Sequence, residues 1–213
     1  MDALLKLSGG IDRFSTLVGQ SIRWLVLASV LISAGNAIVR KLFNVGSNSL
    51  LEIQWYLFAG VFMLGSGYAF LRNVHVRIDF ISSKLSKRTN TLIDAAGIVV
   101  FLMPLCLILI TLSWPLFTNA LQSGEMSQNS GGLIRWPAYA LIPLGFSLLL
   151  LQACSELIKR IAFLQGKIDE PMYLEGGKTD EELLAEELAA EAERHAVMAA
   201  ANAGNPVNQK SGR

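Results

Sequence analysis

The sequence predicts an all-α membrane protein, with four transmembrane helices followed by a C-terminal soluble acidic helix. Three observations carry that reading. Charge-free apolar stretches occupy Trp24–Val39, Ile53–Leu71, Ala95–Ala120 and Trp136–Ser155, and a helix crosses a bilayer with about 20 mostly apolar residues. Hydrophobic residues make up 52% of the chain, and the mean hydropathy is +0.44. The Lys and Arg residues fall mainly on alternate connecting segments, the pattern that sets membrane orientation.

Residues 1–16 read as a cytoplasmic N-terminal segment, ahead of a membrane domain over 17–166. The first span, about 17–39, is complete if Arg23 snorkels its head group to the interface. A cleaved signal peptide is its main rival. The apolar run is long for that role, and a polar segment of about twenty residues precedes it. Ser29, Ser33 and Ala37 recur at four-residue spacing, and small residues on one face let helices approach closely in lipid. The second span, about 50–71, opens on Ser49 followed by Glu52. That is the S-x-x-E pattern of a capping box, so Glu52 is expected to cap the helix. Gly65 and Ala69 give this helix its own small-residue positions. The third span, about 93–117, carries Pro104, and the fourth, about 136–158, carries Pro143. Interior prolines remove a helical hydrogen bond and tend to kink the helix. Pro137 follows Trp136 at the start of the fourth helix, where a missing N–H matters little.

The net charge of +1 conceals an asymmetry. Up to Ile168 there are fourteen Lys/Arg against seven Asp/Glu; from Asp169 onward there are four against ten. Up to Lys167, counting the segments that flank the spans, eleven basic residues lie on the side of the termini and three (Arg40, Lys41 and Arg135) on the other. Both termini are therefore expected in the cytoplasm. Trp24, Trp55, Tyr56, Trp114 and Trp136 stand near helix ends, where amphipathic rings anchor at headgroup level. Residues 167–213 form a cytoplasmic acidic tail. Gly176-Gly177 breaks the chain there, and Thr179–Glu182 opens an Ala/Glu/Leu helix over about 180–201.

The composition points away from several classes of chemistry. The basic residues follow interfaces rather than forming one patch, so nucleic acid is not an expected partner. His75 and His195 are the two histidines, and neither lies in a span, so a membrane-embedded haem is not expected. Cys106 and Cys154 sit in separate apolar stretches and read as small buried hydrophobes. No phosphate-binding glycine loop, nucleophile elbow or HExxH motif occurs. The expectation is a chain without catalytic residues, metal ligands or cofactor. Arg23, Glu52, Asp94 and Glu156 all fall near helix ends rather than mid-span, unlike the buried ionisable group of an ion-coupled carrier.

Two loop motifs remain. One runs Gly65-Ser66-Gly67-Tyr68, then Leu71-Arg72-Asn73-Val74-His75-Val76-Arg77-Ile78-Asp79. It is either a positive-inside loop with an Arg–Asp pair or a docking element for a partner. The other runs Ser123-Gly124-Glu125, then Ser130-Gly131-Gly132-Leu133-Ile134-Arg135-Trp136-Pro137. Its glycines suggest a fixed turn, and Glu125 is placed to pair with Arg135; a structural turn and a binding surface both fit.

With these motifs the chain resembles the DctQ-like small membrane subunit of tripartite ATP-independent periplasmic (TRAP) transporters. The likeness lies in four spans, the G-x-G-Y…H-V-R-I-D stretch from Gly65 to Asp79, and the S-G-E…G-G-L-x-R-W-P…I-P-x-G-F stretch from Ser123 to Phe146. It covers roughly Ile11 to Gly166 and leaves the acidic tail outside. The resemblance implies a multi-pass subunit of the bacterial inner membrane. Its expected partners are a large DctM-like permease subunit, a periplasmic DctP-like substrate-binding protein and membrane lipid. It implies sodium-driven uptake of organic acids, with this chain bracing the large subunit. A self-contained small homo-oligomeric carrier and a membrane scaffold outside transport are the alternative readings. The candidate interface or structural positions are Ser29, Ser33, Ala37, Glu52, Gly65, Gly67, Arg72, His75, Arg77, Asp79, Glu125, Arg135, Trp136 and Pro137.

Overall fold

The computed structural model describes residues 2–44, 46–73, 85–167 and 188–189. Among them every regular element is helical. Four helices are long and apolar enough to cross a membrane: α1 (Asp2–Phe43), α2 (Asn48–Leu71), α3 (Lys87–Ser123) and α4 (Trp136–Leu164). The chain is thus a four-helix, multi-pass membrane protein. It divides into two units, Met1–Tyr173 and Leu174–Arg213. In the second, Leu188 and Ala189 are helical and Leu188 is exposed. The rest of the acidic helix expected over about 180–201 lies outside the described residues.

The first helix differs from expectation. Helix α1 runs past the expected span of about 17–39 at both ends: from Asp2 onward the chain is one unbroken helix of 42 residues. At 1.5 Å per residue it is about 63 Å long, twice the hydrocarbon thickness. Its first half is held by packing against α4, described below, and not by lipid alone.

Glycine sets the closest helix contacts. The parallel helices α2 and α4 touch where Gly67 meets the Leu148 backbone and Gly145 meets Met63. A Cβ on Gly145 would stand 2.6 Å from the Met63 carbonyl oxygen. Along the antiparallel α1–α2 seam, Gly19 lies under the Tyr68 ring, Gly65 faces Ile22 and Gly60 faces Leu25. The expected stripe Ser29, Ser33 and Ala37 is not one face within the chain. Ser29 is buried, whereas Ser33 and Ala37 are exposed. At 3.6 residues per turn, a four-residue step drifts by about 40°, so eight residues rotate the stripe out of the seam.

Proline leaves its mark in α3. Residues Ile98–Leu102 form a π-helical turn, closed by the Met103 N–H donating to the Ile98 carbonyl. The wide turn comes directly before Pro104. A proline ring clashes with the carbonyl four residues back, and one extra residue in the turn relieves that clash. Pro143 sits inside α4 and is buried, and Pro137 occupies the first turn as its position suggested.

Candidate functional site

Two polar clusters lie at opposite ends of the bundle. One joins the start of α1 to the end of α4; the other ties the 124–135 loop to the start of α2.

The first cluster arises from a polar stripe on each helix. Ser8, Asp12 and Ser15 share one face of α1, and Gln152, Ser155, Glu156 and Lys159 share one face of α4. Asp12 Oδ1 accepts from Gln152 Nε2 at 2.8 Å and from Ser155 Oγ at 2.7 Å. Its Oδ2 pairs with Lys159 Nζ at 3.1 Å. Ser15 Oγ donates to Gln152 Oε1 at 2.6 Å, and the hydroxyls of Ser8 and Ser155 are hydrogen-bonded at 2.7 Å. Glu156 then bonds both Lys159 and Arg160 Nη1, the latter at 2.7 Å. Arg160 Nη2 reaches Asp94 Oδ2 on α3 at 3.6 Å.

The ionic path Asp94–Arg160–Glu156–Lys159–Asp12 alternates in sign and crosses three helices. Its centre is dry: Glu156 is 2% exposed and Arg160 4%. A charge in such a place is tolerated only when paired and hydrogen-bonded. The arrangement binds helices together and leaves its carboxylates engaged with neighbouring side chains. Sequence reading missed it. Asp12 fell in the segment set aside as cytoplasmic, and Lys159 and Arg160 were read as interfacial charges. The polar positions 152, 155, 156 and 159, one helical turn apart in an apolar helix, were the available signal.

The second cluster corrects the capping-box reading. The cap of α2 is Ser47, whose side chain accepts from the Leu50 N–H at 3.4 Å. Helix α2 begins at Asn48, so Ser49 and Glu52 already lie inside it and their side chains turn to the loop. Ser49 Oγ donates to the Gly131 carbonyl. Glu52 accepts from the Ser127 hydroxyl, from Asn129 Nδ2 at 2.7 Å and from the Leu133 N–H at 2.6 Å. Asn48 Nδ2 and Tyr56 Oη donate to the Ser130 and Ile134 carbonyls. One carboxylate thereby fixes three points of a loop some eighty residues away.

The loop also braces itself. Gly124 and Gly131 adopt left-handed backbone, with φ of 63° and 70°, where an L-residue is strained. Met126 and Ile134 form an isolated antiparallel bridge. Arg135 Nη1 pairs with Glu125 Oε1 at 2.9 Å, the pair read from the sequence. That hydrogen bond holds the Arg135 guanidinium pKa above its ordinary value. Trp136 packs its ring near Phe117, with centroids 6.5 Å apart. The loop is a fixed turn.

Of the other motif, Gly65 and Gly67 serve helix packing. Arg72 Nε donates to Tyr68 Oη at 3.1 Å, and its guanidinium lies 5.7 Å from the Tyr68 ring centre. His75, Arg77 and Asp79 lie outside the described residues. No group of three or more His, Cys, Asp or Glu placed to hold a metal occurs among the described residues. Cys106 and Cys154 are free thiols.

Comparison with known families gives one match. The family model described as "Tripartite ATP-independent periplasmic transporters, DctQ component" covers residues 12–163. It takes in the loop cluster and, apart from Ser8, the cluster between α1 and α4, and stops short of the tail. Comparisons with curated proteins and with solved structures give no match.

Proposed function

The chain belongs to the DctQ component family of tripartite ATP-independent periplasmic transporters, and on that premise we propose that it is the small permease subunit of a sodium-driven importer of organic acids. In this reading it carries out no catalysis. It braces a large DctM-like transport subunit in the bacterial inner membrane, and a periplasmic DctP-like protein delivers the substrate. Both termini and the His75 loop face the cytoplasm, following the eleven-to-three charge count.

The carrying observation is the alternating ionic path from Asp94 to Asp12. A carrier that couples ion flow to transport uses an intramembrane charge to bind the ion. Here the carboxylates inside the bundle bond to each other's cationic partners and lock α1, α3 and α4 together. That suits a scaffold. Large apolar side chains stay exposed along the helices, among them Leu31, Phe62 and Phe101, giving surface for lipid and for a larger partner.

Reconstitution into liposomes with a sodium gradient tests the proposal, with each component omitted in turn. Binding protein, large subunit and this chain together should give uptake. This chain alone should give none; sodium-dependent uptake by it alone would overturn the accessory role and favour the self-contained carrier.

A further inference from the structure

Beyond the two clusters, a cationic groove of about 710 Å³ opens between the end of α1 and the start of α2. Ser33, Asn36, Arg40, Lys41, Asn44 and Gln54 supply its polar lining. A second hollow of about 430 Å³ adjoins it and shares Asn36, Arg40 and Asn44. Among the described residues, no acidic side chain lines either. Neither Arg40 nor Lys41 forms a salt bridge with a described residue.

The helix dipole accounts for cations in the last turn of α1. It does not account for Asn36. That residue is 7% exposed, borders both hollows, and its buried Oδ1 accepts no hydrogen bond. Buried amides are almost always satisfied. The groove therefore asks for a ligand with negative charge beside Arg40 and Lys41 and a hydrogen-bond donor beside Asn36.

Its depth narrows the choice. Trp55 follows Gln54 and is 75% exposed, and exposed tryptophan marks the headgroup level. A groove at that level, open between two spans, meets lipid head groups first. We propose that it binds the head group of one anionic phospholipid bearing hydroxyl donors, of the phosphatidylglycerol type. The phosphodiester pairs with Arg40 and Lys41, and a glycerol hydroxyl donates to Asn36. A basic residue held at an anionic lipid surface gives about fivefold in affinity, so the two together separate this lipid from a zwitterionic one.

The full chain, purified in mild detergent, should retain one phosphatidylglycerol in native mass spectrometry. In phosphatidylcholine nanodiscs its Tm should rise as phosphatidylglycerol is added. Arg40→Gln with Lys41→Gln, at two exposed positions, should lower retention by roughly 25-fold, at about fivefold per charge. Asn36→Leu should abolish the preference for phosphatidylglycerol over phosphatidic acid, which lacks the glycerol donor. Equal protection by inorganic phosphate in phosphatidylcholine nanodiscs would overturn the proposal in favour of a soluble anion. Retention unchanged in the double variant would overturn it too. Loss of the lipid when the large subunit is added would assign the groove to a protein interface instead.

Discussion

Glu156 and Glu52 show how differently one carboxylate can act. Glu156 is an interior charge with a basic residue one helical turn on, at 159 and at 160. Without Glu156, Lys159 is left to Asp12 and Arg160 to Asp94 at 3.6 Å; breaking a buried pair costs up to about 3–5 kcal/mol. Glu156→Ala should therefore lower the Tm strongly in detergent, while Glu125→Ala, at an exposed pair, should change stability by under about 1 kcal/mol. Equal effects of the two variants would refute a structural role for the ionic path. Glu52 instead holds a loop. In Glu52→Ala the Ser127 hydroxyl, the Asn129 amide and the Leu133 N–H all lose their acceptor. Limited proteolysis within 124–135 should become several-fold faster with the helices intact; an unchanged cleavage rate would show that Gly124 and Gly131 suffice to fix the turn.

Among the elements, α2 and α4 depend on backbone contact. Without a hydrophobic drive between helices in lipid, association rests on close packing of small residues. Gly145→Ala adds a methyl 2.6 Å from the Met63 carbonyl, and overpacking costs about 1–3 kcal/mol. Helix propensity returns at most about 1 kcal/mol of that. The variant should be less stable. Gly35→Ala in α1 meets nothing within 4 Å, so propensity alone acts and it should be neutral or stabilising. Thermal unfolding of the pair decides; a stable Gly145→Ala would mean that the α2–α4 seam opens at little cost. Proline was readable in part at this scale. Pro104 and Pro143 announced disturbed hydrogen bonding, but the π-turn at Ile98–Leu102 depends on how α3 absorbs the missing bond, and no sequence pattern encodes that choice.

For the whole molecule, the Ser8–Ser155 contact puts the start of α1 and the end of α4 at one end of the bundle. In the proposed orientation, which follows the charge count, that end faces the cytoplasm. Cysteine labelling from outside should reach a probe at Gln128 and not at Ser83 or Gly204. Labelling at Ser83 in intact spheroplasts would reverse the orientation. The DctQ match runs through this bundle and ends before the acidic tail.

Four spans, their approximate places, the Glu125–Arg135 pair and the DctQ resemblance were all legible in the residues. Each depends on local hydropathy, on charge near a helix end, or on a motif of adjacent positions. The tertiary structure decided what distant segments do to each other. Asp12 became a half-buried anion in the α1–α4 seam because α1 is helical from Asp2 onward and lays one face along α4. Glu52 became a loop clamp because the helix starts at Asn48 and the 124–135 turn folds over its first turns. Both outcomes depend on partners 75 to 147 residues away. A carboxylate's role follows from the donors brought to it, and only the packed bundle brings them.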